Sequence, residues 1–288
     1  EMLVKSVTKK QRKRQPTAPF ITSTLQQEAI RKLGFTAQWT MRIAQQLYEG
    51  IDIGEGSVGL ITYMRTDSVN LAKEALTEIR TFISSRYGKN SLSEEARVFK
   101  TKSKNAQEAH EAVRPTSVAR VPNDIKDSLT DEQFKLYELI WKRTMASQMI
   151  HATIDSVAVD MSCGDGNLFR ANGSSIADPG FMQVYLEGVD DKENKEDDEK
   201  MLPQLNEGDK VKLKQVRSEQ HFTEPPPRYS EASLVKSLEE YGIGRPSTYA
   251  NIISTLRNRE YVYIESKRFY PTDVGKLVNN FLTAHFSD

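Results

Sequence analysis

The 288-residue chain reads as a multidomain α+β protein, and three patterns lead to that reading. Between residues 22 and 148 apolar side chains recur every three or four positions, the period of amphipathic helices. From Ala152 the pattern changes to alternation of apolar with Thr, Asp and Ser, the period of strands. After the stiff stretch Pro225-Pro226-Pro227, which continues neither helix nor sheet, comes an order of helix, glycine turn, helix and hairpin. The expected organisation is a helical domain, 22–148, inserted into a β-rich domain built from 1–21 and 149–226. A partial winged-helix-like unit, 227–288, follows.

Taken in order, Leu3 to Val7 forms a strand that joins the later sheet and makes the β-rich domain discontinuous. Thr24-x-x-Gln27 is a capping-box pattern; Leu25, Ala29 and Leu33 share one helix face, and Gly34 supplies the stop. Thr36 opens a second helix in which Trp39, Ile43 and Leu47 repeat every four residues before Gly50, so the two helices pair. Gly59 to Ser68 is a strand-like run ending in a polar turn. A third stripe, Leu71, Ala75, Ile79 and Phe82 or Ile83, ends near Gly88. Thr130-x-x-Gln133 begins a fourth helix with Phe134, Tyr137, Ile140, Trp141 and Met145 inward; aromatics at this spacing are core.

Ile154, Val157 and Val159 then mark a strand that turns at Cys163-Gly-Asp-Gly166. Further strands are expected at Asn167–Ala171, Gly180–Tyr185 and Lys210–Val216. The acidic run from Asp190 to Glu199 is read as a solvated loop. Ser230 caps a helix carrying Leu234, Leu238 and Tyr241. Gly242-Ile-Gly-Arg-Pro246 makes the turn, and Ser247 caps a helix with Ile252, Ile253 and Leu256. Tyr261–Ile264 and Arg268–Tyr270 make a hairpin, and Thr272 begins the last helix.

Composition narrows the function classes. Lys plus Arg and Asp plus Glu number 40 each, so no global basic character advertises a nucleic-acid partner, and any such binding rests on local patches. Basic residues cluster at Lys9, Lys10, Arg12, Lys13 and Arg14, and again at Arg257, Arg259, Lys267 and Arg268. The single cysteine, Cys163, excludes an internal disulfide and a cysteine-cluster zinc site and suits a reducing interior. No apolar run approaches the ~18 residues of a membrane span, and the start, Glu1-Met-Leu-Val-Lys5, is not a signal peptide. A soluble cytoplasmic protein with no membrane partner is expected. The opening without an initiator methionine reads as that of an excised fragment.

Chemistry concentrates at Gly59-Leu-Ile-Thr-Tyr63-Met-Arg65-Thr-Asp-Ser68, where an apolar run delivers a tyrosine and then an arginine into a polar turn. A phenol with a pKa of about 10 attacks phosphate poorly at neutral pH unless a fixed cation stands beside it. Residues two apart on a strand point to one face, which puts Arg65 next to Tyr63. Taken alone, the stretch also fits a half-buried packing tyrosine.

The stretch Ile61 to Ser68 closely resembles the active-site segment of bacterial type IA DNA topoisomerases. Three more segments agree in order and spacing: Pro19-Phe-Ile-Thr-Ser-Thr-Leu-Gln-Gln27, Asn105-Ala-Gln-Glu-Ala-His110-Glu-Ala-Val-Arg114-Pro115, and Pro225 to Leu256 with its Tyr-Gly-Ile-Gly-Arg-Pro-Ser-Thr core. The resemblance spans essentially the whole chain. It implies a piece of a toroidal molecule whose β-rich part forms an arch around a hole for DNA, and the basic run Lys9–Arg14 either faces that hole or forms a solvated edge.

The resemblance further implies an isomerase that relaxes negatively supercoiled DNA without ATP, through single-strand cleavage, a 5′-phosphotyrosine intermediate, strand passage and religation. Tyr63 would be the nucleophile, Arg65 would stabilise the scissile phosphate, and His110 would approach the active site to aid nucleotide binding or the proton balance. Glu111 and Arg114 would support the site, with Arg114 touching DNA, and Asp67 would orient Arg65 or cap the next helix. Arg245, Ser247 and Thr248 would hold the single strand that leads to the cleavage site. Single-stranded and negatively supercoiled DNA would be the partners of a monomer. Magnesium would be held by acidic residues of a Toprim domain that precedes these motifs in the family; no candidate for it occurs here, so no metal is expected on this chain, which alone would not relax plasmid DNA. Another type IA enzyme of the decatenating subgroup, and a non-enzymatic winged-helix DNA-binding protein, are the alternatives.

Overall fold

A computed structural model describes residues 1–54, 56–100, 110–164, 166–188 and 202–286. The acidic run 190–199 and residues 105–109 lie outside them. In chain order the main elements are β1 (Met2–Arg14), α1 (Thr22–Leu33), α2 (Ala37–Glu49), β2 (Ile51–Asp52), β3 (Ser57–Val58), α3 (Lys73–Tyr87), α4 (Asp131–Gln148), β4 (Ala152–Ser162) and β5 (Leu168–Asp178). They continue with β6 (Lys210–Val211), α5 (Glu231–Glu240), α6 (Tyr249–Asn258), β7 (Val262–Glu265), β8 (Arg268–Pro271) and α7 (Asp273–His285). The architecture is mixed helix and antiparallel sheet, as the α+β reading requires.

Two compact units emerge. One comprises Glu1–Pro16, Ile150–Gln183 and the described stretch up to Pro226. Its sheet has the order β5-β4-β1-β6, and β1 runs antiparallel to β4 from Leu3 opposite Ser162 to Arg14 opposite Ala152. Alternation buries Val4, Val159 and Met161 on one face, where Val7, Val157, Leu202, Leu205 and Val211 complete a small core. The strand expected at Leu3–Val7 thus runs on to Arg14, and the basic residues from Lys9 onward are exposed along it. The expected strand at Gly180–Tyr185 is instead a single 3-10 turn, Gly180–Gln183. Gly180 starts it at φ +46°, and an added Cβ would meet the His151 carbonyl oxygen at 2.3 Å, so glycine is required there. Lys210–Val216 pairs only over two residues, Lys210 and Val211.

The other unit comprises Thr17–Met149, Val184–Asp190 and Pro227–Asp288, so the C-terminal helices and hairpin are grouped with the helical residues. Ala37 of α2, Val235 of α5, Ile253 of α6 and Phe269 of β8 form one buried cluster. The Glu231 carboxylate joins α5 to the start of α2 by accepting from the Ala37 amide at 2.9 Å; burial raises the pKa of this carboxyl. In α4 the capping box is present, with Gln133 N–H donating to Thr130 Oγ1 and Thr130 N–H donating to Gln133 Oε1. Tyr137, Ile140, Trp141 and Met145 are buried, and the polar tips of the two aromatics are satisfied: the Tyr137 hydroxyl donates to the Arg120 carbonyl and Trp141 Nε1 to that of Val118.

Two local expectations shift. Helix α1 begins at Thr22, so Thr24 lies inside it and its hydroxyl accepts from the Ile21 amide. In α2 the buried stripe is Thr40, Ile43, Ala44 and Leu47; Trp39 is turned outward, with the Arg42 guanidinium 5.3 Å from its ring centre.

Candidate active site

The tyrosine segment is an extended run locked on three sides. Leu60 N–H donates to the Leu47 carbonyl at 2.7 Å, which ties the run to the end of α2. Thr62 N–H donates to the Arg114 carbonyl and Thr116 N–H to that of Leu60, pairing the run with residues 112–116. Beyond the tyrosine, Thr22 at the start of α1 holds the turn: its hydroxyl donates to the Met64 carbonyl at 2.7 Å and accepts from the Thr66 amide at 2.9 Å. Leu60, Ile61, Met64 and Thr66 are buried. What alternation leaves outside is Tyr63 and Arg65.

Tyr63 is 43% exposed, and the Arg65 guanidinium donates to its hydroxyl from Nη1 at 3.3 Å. This is the juxtaposition expected from their spacing. Arg65 also lines a groove of about 430 Å³ whose lining includes Gln38, Arg42, Gln45 and Glu49 of α2, with Met41 and Gln46 beside them, and Pro246, Ser247, Ala250 and Asn251 at the start of α6. Positions 38, 42, 45 and 49 are the polar stripe of α2, opposite its buried one. Their outward face was legible in the sequence; their meeting with α6 was not.

The start of α6 is built by the glycine turn. Gly242 and Gly244 take φ of +70° and +78°, and a Cβ on Gly244 would approach Thr248 Oγ1 and Ile252 Cδ1 at 2.9 Å. The expected cap, Ser247, lies within the turn, and Thr248 flanks the helix without capping it; its hydroxyl accepts from the Arg245 amide at 2.7 Å. Among the described residues the amides of Ala250 and Asn251 find no partner, as the first turn of a helix leaves them. The Arg245 guanidinium folds back onto the Gly244 carbonyl at 2.7 Å.

The remaining predicted residues are placed less directly. His110 is exposed, and among the described residues it forms no hydrogen bond with Tyr63 or Arg65. Arg114 is engaged by Glu111, with Nε 3.0 Å and Nη2 2.8 Å from Oε2, and its Nη1 donates to the Pro115 carbonyl. The other Glu111 oxygen accepts from the Ala72 amide at 2.7 Å and so satisfies the start of α3, one of the two tasks expected of Asp67, the other being to orient Arg65. Sequence reasoning also missed Tyr48, whose ring meets that of Tyr63 edge-on.

Magnesium needs several hard oxygen donors converging. Among the described residues no three of His, Cys, Asp or Glu converge as a possible metal site. The described residues of this chain do not fit the ion. Among the described residues no helix is long and apolar enough to cross a membrane.

The α+β fold agrees with the comparison with known sequences: the model of the DNA topoisomerase family matches residues 1–288, and the chain belongs to this family, in its bacterial type IA branch. The chain is 58% identical over 286 residues to DNA topoisomerase 1 of Xylella fastidiosa, covering 99% of the chain and 35% of that protein. It is 56% identical over 284 residues to DNA topoisomerase 1 of Rickettsia bellii, again covering 35% of the relative. Full-length topoisomerase I from Thermotoga maritima superposes with a TM-score of 0.86 at 39% identity, over 100% of this chain and 45% of that one. The chain thus spans about a third of the length of the curated relatives it matches.

Proposed function

We propose that this chain carries the strand-cleaving tyrosine of an enzyme that relaxes negatively supercoiled DNA without ATP, by cutting one strand, passing another through the gap and resealing. Tyr63 Oη attacks the phosphorus of a single-stranded segment and gives up its proton. The bond from phosphorus to the 3′-oxygen breaks, the departing oxygen takes a proton to become a 3′-hydroxyl, and the 5′-phosphate stays on the tyrosine. Religation is the same exchange reversed, so the ester conserves the bond energy.

The observation that carries this reading is the exposed phenol with a guanidinium at 3.3 Å. Arg65 serves the scissile phosphate, since a guanidinium stays charged and offers parallel donors to phosphate oxygens. Phosphoryl transfer asks mainly for such positioning and charge. The unpaired amides at the start of α6, with Ser247 and Thr248, hold a neighbouring phosphate of the same strand, as helix N-termini do. Arg245 shapes that turn and adds charge to it. Arg114 and Glu111 brace residues 112–116, the backbone partner of the tyrosine segment, and His110 at the end of that brace serves nucleotide binding or proton exchange. Strand passage belongs to the whole protein, and this chain alone does not relax plasmid DNA.

The test is covalent trapping. A labelled single-stranded oligonucleotide mixed with the complete protein should yield a denaturant-resistant adduct joined through a 5′-phosphotyrosine, and Tyr63→Phe should abolish it. An adduct that survives in the variant would exclude Tyr63 as the nucleophile.

A further inference from the structure

We infer that Tyr48 is a positioning residue for the reaction: its ring holds the Tyr63 phenol in the one orientation from which it can attack. The inference rests on Tyr63 being the nucleophile. The two ring centres are 5.3 Å apart with planes at 65°, an edge-to-face pair. Both rings are in the open, at 41% and 43% exposure, so this pair is not part of the core.

An exposed tyrosine moves among about three staggered χ1 wells on the picosecond to nanosecond scale. In-line attack uses one of them. The Arg65 guanidinium restrains the hydroxyl end of Tyr63, and the Tyr48 ring closes off a side of its body. Together they remove the freedom that burial removes elsewhere.

The platform under Tyr48 is rigid. Tyr48 follows the fully buried Leu47 in the last turn of α2, and the Leu47 carbonyl takes the Leu60 amide at 2.7 Å, three residues before Tyr63. At Gly59 an added Cβ would lie 2.7 Å from the Tyr48 carbonyl oxygen, so the glycine lets the tyrosine segment lie directly against the helix end. The Tyr48 hydroxyl has no hydrogen-bond partner among the described residues, which assigns the work to the ring and not to the oxygen.

The experiment compares Tyr48→Ala and Tyr48→Phe in the complete protein, measuring single-turnover formation of the covalent adduct at saturating oligonucleotide. Tyr48→Ala should slow it about three- to tenfold, the range expected when a fixed reactant regains its rotamers. Tyr48→Phe should recover most of that loss. Oligonucleotide affinity, read by fluorescence anisotropy in a Tyr63→Phe background, should stay within about twofold, because a positioning role acts on rate and not on binding. In the 288-residue chain a ring-to-ring NOE between the two tyrosines should be seen, and Tyr48→Ala should shift the Tyr63 ring resonances.

A Tyr48→Ala rate within twofold of wild type, a Phe variant as slow as the Ala variant, or no NOE would each overturn the proposal. Absence of any adduct with the wild-type protein is a different failure, that of Tyr63 as nucleophile, and the NOE still reports whether the rings pair.

Discussion

Among the described residues Arg65 meets the tyrosine hydroxyl through one nitrogen, in an exposed position, which leaves its other donors to the proposed phosphate. Water competes for such a site, so the loss on removing it falls toward the lower end of what a preorganised donor supplies. Arg65→Ala should therefore slow adduct formation about 10- to 100-fold at saturating oligonucleotide. Arg65→Lys should recover part of this, because it restores charge without the planar fork. Single-turnover quench measurements decide it, and equal rates for Arg65→Ala and wild type would remove the arginine from the mechanism. Thr22 contributes at the same scale from the opposite side: its buried hydroxyl is at once donor to Met64 and acceptor from Thr66, so one side chain sets both ends of the turn on which Arg65 stands.

At the scale of elements, the site depends on how closely the extended run approaches the end of α2. Gly59→Ala places a methyl 2.7 Å from the Tyr48 carbonyl oxygen, backbone that cannot swing aside. The variant should lose about 1–3 kcal/mol of stability to overpacking and displace the Leu60 to Leu47 hydrogen bond. Urea unfolding of the 288-residue chain measures the loss, and a midpoint equal to wild type would show that the approach is not tight.

The helices themselves were legible, because each carries its own stripe and, in α4, its own capping box at Thr130 and Gln133. The Tyr63–Arg65 pairing was legible from a period of two. What local periodicity does not encode is which element lies opposite. The polar stripe of α2 faces the start of α6, about 200 residues onward, and no pattern in either helix announces the other. Trp39 was placed inward by a four-residue repeat, yet the buried stripe is centred on Thr40, Ile43, Ala44 and Leu47, and the indole lies beside it with Arg42. Ser247 looked like a cap because a serine precedes an apolar helix, but the turn uses that position and Thr248 bonds back to Arg245.

For the molecule as a whole, zero net charge means that the proposed affinity for DNA rests on local cationic patches, and salt can count their contacts. The proposed groove offers Arg42 and Arg65, and Arg245 stands on the turn beside it, which makes about three cationic phosphate contacts. For a single strand the logarithm of affinity falls with the logarithm of salt by about 0.7 per phosphate, which predicts a slope of about −2 for the 288-residue chain. The five cations from Lys9 to Arg14 lie exposed along β1 in the other compact unit. Were they to grip the same strand as well, the slope would steepen to between about −5 and −6. Titrating a labelled oligonucleotide from about 50 to 300 mM salt separates the two cases. Reversing Lys9 and Lys13 to Glu should leave the slope near −2, whereas Arg65→Ala should make it shallower by somewhat less than one. A steep slope that collapses on reversal of the β1 cations would move the main DNA contact away from the tyrosine groove. It would then be the sheet, and not the paired helices, that supplies most of the binding.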